Sequence, residues 1–540
     1  MDITAVKTEP YQDQKFGTSG LRRRVSVFMQ KNYLQNVVQS IFDSVEGFEG
    51  KTLVVGGDGR YFNDKAIQIV LKIAAANGFG RIIVGKNGWL STPALSHLIT
   101  LNEAFGGIIL TASHNPGGKD GDFGIKFNTS NGAPSLPSLT DKITKRTKVI
   151  DRFWWIDAPD VELGNTGKKQ IGNTIVEVID PVLDYANMMQ EIFDFKAIKK
   201  LFASGFTFTF DSMNAITGPY AKYIFEGLLG LPEGTVVHAD PLPDFGHLHP
   251  DPNPVSAKYL IDRMNADDAP DFAAASDGDG DRYMILGKHL FISPSDSLAV
   301  LAEHLSDLSH YAKQFFGVAR SMPTSNALDK VAKRKKVPVY VTPTGWKYFG
   351  NLLQSKKIIL CGEESFGAGS NHVMEKDGIW AVLAWLNIIA QTHKTPQELL
   401  TDLWQKDGRV YYLRHDYENV DIEAARHLMD SLGAQVPTLA GQQFGCLTVK
   451  SAEIFSYEDP VTKERASNQG VVINLSNDAR VAVRLSGTGT VGATLRIYFS
   501  RLEKNCDEKP DEVLAPVILA TTSILQIPKY LKIDVPTTIV

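Results

Sequence analysis

Gly106-Gly-Ile-Ile-Leu-Thr-Ala-Ser-His-Asn-Pro-Gly-Gly118 joins an apolar run to a polar, turn-forming cluster, and the rest of the chain reads outward from that junction. Gly106 to Leu110 predicts a short buried strand. Asn115-Pro116-Gly117-Gly118 predicts a turn after it, so Ser113 and His114 sit on a shaped loop at the strand's carboxyl end. A serine there is placed to act as a nucleophile or phosphate carrier. The loop is not Gly-x-Ser-x-Gly, so acyl transfer lacks its usual context. Taken alone, such a short motif reads as a hydroxyl-rich turn; three motifs downstream change that preference.

The same plan of buried strand and Gly-rich polar loop recurs along the chain. Thr52–Val55 leads into Gly56-Gly-Asp-Gly-Arg60, a helix over 66–77 follows, and Arg81–Val84 is a second strand. A helix is expected over 182–195. Strands at 207–210, 271–276, 318–321, 339–341 and 357–361 each end in a polar loop, and a further helix is expected over 380–391. Alternation of this kind predicts α/β units, whose ligands gather at the carboxyl ends of the strands. Residues 129–140 read as loop, 150–175 as irregular, and 241–254 as a Pro-, His- and Asp-rich loop with no assignment. From about residue 410 the pattern changes. Runs at 447–449, 471–475, 480–485 and 494–499, separated by turns, predict an α+β domain with a mostly antiparallel sheet. The expected domains are 1–180, 181–296, 297–400 and 410–540: three similar α/β units with mixed sheets, then the C-terminal domain.

Two segments flank the serine loop in interest. Lys15-Phe-Gly-Thr-Ser-Gly-Leu-Arg22 can offer an anion the backbone and hydroxyl groups of Thr18 and Ser19 and the charge of Arg22, or it is a solvated basic turn. Lys126, between Ile125 and Phe127 in an extended run, faces opposite to them, toward a site or toward solvent.

A chain of 540 residues is too long for one core and suggests roughly three to five domains. Net charge of −5 supplies no basic field for nucleic acid, so an anionic ligand must be held by local Arg and Lys groups. Cys361, Cys446 and Cys506 form no CxxC or zinc pattern and fit a reducing compartment. The start carries no basic-then-apolar leader, and the longest aliphatic stretch, near 513–525, contains Pro516 and is too short to span a bilayer. A cytoplasmic protein without nucleic-acid or membrane partners is expected.

Asp277-Gly-Asp-Gly-Asp281 is the strongest single motif. Its carboxylates stand at alternate positions of an extended loop, and the glycines let them converge. Carboxylates this close repel, so a hard cation is the natural occupant, with magnesium expected because positions remain for water or a phosphate oxygen. An EF-hand would want Gly where Arg282 stands and Glu where Lys288 stands. Arg484-Leu-Ser-Gly-Thr-Gly-Thr490, with Arg496 beyond it, gathers a guanidinium fork, the hydroxyls of Ser486 and Thr488 and the exposed backbone of Gly487. It lacks Gly-Lys-Ser/Thr and so suits a small molecule's terminal phosphate rather than a nucleotide. In Gly362-Glu-Glu-Ser-Phe-Gly367, Glu363 and Ser365 offer acceptors suited to sugar hydroxyls. Serine, hard cation, sugar loop and phosphate cradle together describe phosphoryl transfer between the serine and a phosphorylated sugar.

In this order the four motifs resemble those of the α-D-phosphohexomutase family, and the resemblance runs from Gln12 to the last strands. It implies four domains around a deep central cleft. It implies that Ser113 is phosphorylated and that one Mg2+ is bound by Asp277, Asp279, Asp281 and a Ser113 phosphoryl oxygen, with Arg282 assisting. The implied reaction passes the phosphoryl group from Ser113 to glucose 1-phosphate. Glucose 1,6-bisphosphate forms as intermediate and activator, turns over, and returns its other phosphate to Ser113, releasing glucose 6-phosphate. Glu363 and Ser365 would grip the sugar in both poses, with Thr344 and Gly345 beside them in the family's Thr-Pro-Thr-Gly-Trp-Lys segment. A general base and acid are needed, and Lys126, His114 and Lys376 are the candidates. A lysine serves if cations and burial lower its pKa from ~10.4. The implied partners are small sugar phosphates, and the implied state is a monomer or weak homodimer. Alternatives are a mutase acting on mannose phosphates too, an inactive relative serving as a scaffold, and a metal-dependent phosphatase. The intact serine and aspartate loops argue against the scaffold.

Overall fold

The computed structural model describes residues 2–17, 19–486 and 492–540. The chain divides into two compact units. One comprises Met1–Leu290, Leu308–His310 and Phe366–His393; the other comprises Phe291–Asp307, Tyr311–Ser365 and Lys394–Val540.

The first unit opens on a seven-stranded sheet with Gly106–Leu110 near its centre. Its neighbour Thr52–Gly57 is parallel to it, and Arg81–Trp89 and Thr174–Ile179 continue the parallel run. Asp122–Thr129, on the other side of Gly106–Leu110, is antiparallel, as are the strands at both edges. All five residues of Gly106–Leu110 are buried, the expected state of a strand covered on both faces. The helix Thr92–Leu101 is capped by Ser91, whose side chain accepts from Ala94 N–H, with proline in the first turn.

Two stretches that read as loop or irregular carry structure. Residues 129–140 run into the helix Pro137–Thr147, which buries only Ile143 and Thr147 and so leaves little apolar period to detect. Residues 150–175 hold the strand Arg152–Ile156, paired antiparallel with Ile3–Lys7, and the edge strand Gly167–Ile171, exposed at Gly167 through Gln170. Edge strands need no apolar alternation, and this one has none.

The second sheet is also mixed. Val236–Val237, Phe208–Asp211 and Phe272–Ser276 are parallel, and Tyr283–Gly287 returns antiparallel. The expected helix over 182–195 is Pro181–Ile192, because Asp194 caps a second helix, Phe195–Ala203, by accepting from Ala197 N–H. Gly378–Thr392 is an almost wholly buried helix packed on Phe195–Ala203 and on the strands Phe272–Ser276 and Tyr283–Gly287.

In the second unit Val318–Ser321 lies between two parallel neighbours, Val339–Thr342 and Leu360–Glu363. Glu363 is the last residue of its strand rather than part of a free loop. Thr395 and Glu398 form a reciprocal capping box at the helix Pro396–Asp407. The C-terminal sheet runs Gln443–Phe444, Leu447–Ile454, Val471–Leu475, Ala479–Ser486, Ala493–Glu503, Arg409–Val420, Thr538–Ile539, antiparallel throughout. Three α/β domains with mixed sheets and an antiparallel C-terminal domain therefore make up the chain. Among the described residues no helix is long and apolar enough to cross a membrane.

Candidate active site

Ser113 follows the buried strand directly and has φ of 53°, a left-handed backbone that a non-glycine residue adopts at a cost. A rigid strut holds it there. Thr111 Oγ1 accepts from Ser113 N–H at 2.7 Å and donates to Asp58 Oδ2 at 2.6 Å. Arg60 pairs with Asp58 at 2.8 Å and donates to the carbonyls of Ser113 at 2.7 Å and Asp122 at 2.8 Å. Both members of this pair are fully buried. The loop of 241–254 closes beneath: Gly118 N–H and Tyr61 N–H donate to the Pro243 carbonyl, and the Phe245 ring lies under the Arg60 guanidinium at 5.2 Å.

The aspartate loop meets the serine. Ser113 Oγ donates to Asp277 Oδ2 at 2.8 Å. Asp277, Asp279 and Asp281 are buried, with one oxygen of each within 4.8 Å of the others. Thr92 Oγ1 donates to Asp279 at 2.6 Å, Lys126 Nζ lies 3.1 Å from Asp279, and Lys376 Nζ lies 3.1 Å from Asp281. Arg282 donates its backbone N–H to Asp277 at 3.0 Å and places its guanidinium 3.9 Å from Asp281. Asp279 Oδ1 and Asp281 Oδ1 are buried without a hydrogen-bond partner. Orphaned carboxylate oxygens converging beside a serine hydroxyl fit a hard divalent cation.

Electrostatics divide the triad. Burial and the charges of Asp281 and Asp279 push the Asp277 carboxyl well above its ordinary range. Burial would raise Asp279 as well, but Lys126, the Thr92 hydroxyl and Lys376 outweigh it and hold that carboxyl below the usual range. Lys126 departs from the sequence expectation. Burial alone would lower it, yet Asp279, Asp281 and Glu375 outweigh burial and raise it. His114 goes the other way. Burial, Arg282 and Arg22 push its imidazole well below the ordinary value, and its Nδ1 is buried without a partner.

Arg22 is placed close by, donating to Asn115 Oδ1 at 3.4 Å. Ser19 lies on the exposed turn between Gly17 and Gly20, which bridge each other, and Thr18 falls outside the described residues. Gly20 has φ of 83°, and a Cβ there would meet the Ile125 carbonyl oxygen at 2.3 Å, so this turn lies directly on the Lys126 strand.

Several residues of the site escaped the sequence reading. Asp58 and Arg60 stood in a turn with no motif around them. Asn128 donates to Glu375 at 2.8 Å, and burial pushes that carboxyl up to about 7. Asp377 accepts from the Tyr185 hydroxyl at 2.6 Å and from Trp380 N–H at 3.1 Å, and His372 Nε2 lies 3.0 Å from its other oxygen. This cluster fixes the segment carrying Lys376. The Asn128 and Tyr185 contacts come from distant parts of the chain, where spacing offers no signal.

The second unit carries the other motifs. Glu363 accepts from Gly345 N–H at 2.9 Å, which brings those two together. Thr344 Oγ1 is buried without a partner, and Ser365 is half-buried beside the same strand end. Glu364, not singled out, accepts from Ser321 Oγ at 2.8 Å. Arg484 and Ser486 end the strand Ala479–Ser486, and Arg496 stands directly across from Arg484 on the next strand. Gly487 and Thr488 lie outside the described residues.

Comparison with known proteins covers nearly the whole chain. Residues 13–152, 183–290 and 293–406 match the family descriptions "Phosphoglucomutase/phosphomannomutase, alpha/beta/alpha domain" I, II and III. Residues 409–537 match "Phosphoglucomutase-1, C-terminal domain". A phosphoglucomutase of Rhizobium radiobacter is 52% identical over 99% of this chain and 100% of its own length. Human phosphoglucomutase-1 is 47% identical over 99% of each chain. The crystal structure of pp63/parafusin, a phosphoglucomutase from Paramecium in an open form, aligns with a TM-score of 0.92 at 44% identity, covering 100% of this chain and 99% of that one.

Proposed function

This chain belongs to the phosphoglucomutase/phosphomannomutase family, the α-D-phosphohexomutases, and from that membership we propose how its residues divide the work. The activity is that of a phosphoglucomutase, the reversible interconversion of α-D-glucose 1-phosphate and glucose 6-phosphate. Its substrates are small sugar phosphates, and magnesium dependence is general in the family. The observation that carries the residue roles is the 2.8 Å contact between Ser113 Oγ and a buried aspartate triad with orphaned oxygens.

Ser113 is the phosphoryl carrier, and its strained backbone, pinned by Thr111 and Arg60, aims the hydroxyl without reorganisation. Asp277, Asp279, Asp281 and a Ser113 oxygen would hold one Mg2+, which supplies positive charge beside the transferring group. Arg282, Lys126 and Lys376 add fixed positive charge around the same point. Among Lys126, His114 and Lys376, we assign acceptance of the sugar hydroxyl proton to His114, whose Nδ1 is buried without a partner. Ser19 and Arg22, with Thr18, extend the anion-binding rim. Glu363 and Ser365, with Thr344 and Gly345, accept sugar hydroxyls. Arg484, Ser486, Gly487, Thr488 and Arg496 hold the distal phosphate. A glucose 1,6-bisphosphate intermediate lets one carrier serve both positions of the sugar. The division at about residues 180, 296 and 400 follows this allocation, and a cytoplasmic monomer or weak homodimer suits a soluble metabolite.

Ser113→Ala tests this reading in a coupled assay for glucose 6-phosphate. Turnover should fall by more than about 10⁴-fold with the melting temperature retained. Undiminished turnover would refute the carrier role. Release of free phosphate by the native protein at the mutase rate would instead make it a phosphatase.

A further inference from the structure

The C-terminal sheet has two faces of different chemistry. Val481, Val483, Leu495, Ile497 and Phe499 alternate into the core. The residues between them face the other way and are largely basic and aromatic. Strand register aligns them in rows. Asp416 stands directly across from Arg496, and Arg496 directly across from Arg484, so one carboxylate and two guanidinium groups share a row over three adjacent strands. In the next row Arg414 stands across from Tyr498.

Asp416 is 2% exposed. Its Oδ1 lies 2.9 Å from Arg414 Nε and its Oδ2 3.5 Å from Arg496 Nε. These are ion pairs rather than aligned hydrogen bonds, since both Nε atoms and Asp416 Oδ1 lack one. The buried hydroxyls of Tyr412 and Tyr498 are unpartnered as well. Burial would weaken the Arg414 charge, but Asp416 and the neighbouring tyrosines hold it in place. Arg414 and Arg496 thus share the buried Asp416 carboxylate, with Arg484 across from Arg496. Contact at Nε also has a directional consequence. It occupies the inner edge of the Arg496 fork and leaves the terminal N–H groups to a ligand. The strand beneath is itself pinned: Thr537 N–H donates to the Asp416 carbonyl at 2.8 Å, and Val540 and Arg414 exchange backbone hydrogen bonds.

We propose that Asp416, held in turn by Arg414, is a positioning residue that fixes the Arg496 guanidinium for the distal phosphate of the sugar. The proposal rests on the reading of Arg484 and Arg496 as phosphate-holding residues. Asp416 touches no substrate; it sets which edge of Arg496 does.

The test compares full-length Asp416→Asn, Asp416→Glu, Arg414→Gln and Arg496→Gln proteins for KM and kcat with glucose 1-phosphate and for competitive inhibition by inorganic phosphate. Asp416→Asn should raise KM and the phosphate inhibition constant together by about tenfold, with kcat within about threefold of the native value. Asp416→Glu should recover part of the loss, which a merely structural role would not do. Should Asp416→Asn fail to fold, Arg414→Gln should show the same rise in KM. An unchanged KM in Asp416→Asn, or in Arg414→Gln where that variant stands in for it, beside a raised KM in Arg496→Gln overturns the positioning role and leaves the cradle standing. An unchanged KM in Arg496→Gln removes the cradle itself.

Discussion

Arg60 does more for Ser113 than any other side chain, and it shows what a sequence hides. Its guanidinium satisfies Asp58 and the carbonyls of Ser113 and Asp122 at once, in a fully buried setting. Arg60→Met would leave Asp58 charged and unpaired, a cost of about 3–5 kcal/mol, visible as a lowered melting temperature. Arg60→Lys keeps the charge but loses the fork, so it should melt closer to the native protein while kcat falls about 10²-fold through a misaimed serine. Equal kcat in the lysine variant and the native protein would show that the strut does not aim Ser113. The meeting of Ser113 with Asp277, Asp279 and Asp281 was legible because their types and spacing mark two loops at strand ends. Arg60, Asp58, Thr92, Asp377 and Asp416 were not, because each acts through a partner far away in sequence. The direction in which Lys126 shifts was not legible either, since Asp279, Asp281 and Glu375 set it from elsewhere in the chain.

At the scale of elements, the site is a close apposition of loops, each at the end of a buried strand. The serine loop follows Gly106–Leu110 and the aspartate loop follows Phe272–Ser276. Glycine is required where they meet. A Cβ on Gly278 would lie 2.4 Å from the Ser113 carbonyl oxygen, a backbone atom that cannot swing aside. Gly278→Ala should therefore cost about 10²-fold in kcat by displacing one loop against the other. Gly227→Ala, whose Cβ would meet nothing closer than 3.8 Å, should cost nothing. Equal activity in the two variants would mean that the loops tolerate separation. The strands feeding these loops were readable as apolar runs. The helix Pro137–Thr147 and the edge strand Gly167–Ile171 were not, since their burial is too slight to leave a period.

For the whole molecule, composition spoke to size and ligand class, and motif order spoke to family. Ser113, the acidic triad and Lys126, Arg282 and Lys376 lie in one compact unit, while Glu363, Ser365, Arg484 and Arg496 lie in the other. The proposed reaction depends on the phosphoryl group travelling by way of Ser113. The most direct measurement starts with protein labelled on Ser113 by radioactive glucose 1,6-bisphosphate, freed of sugar, and mixed with unlabelled glucose 1-phosphate and Mg2+ in a rapid-quench apparatus. The label should leave the Ser113 peptide and appear on sugar bisphosphate at least as fast as steady-state turnover. Label that stays on the protein while glucose 6-phosphate accumulates, or that leaves as inorganic phosphate at the turnover rate, would contradict it.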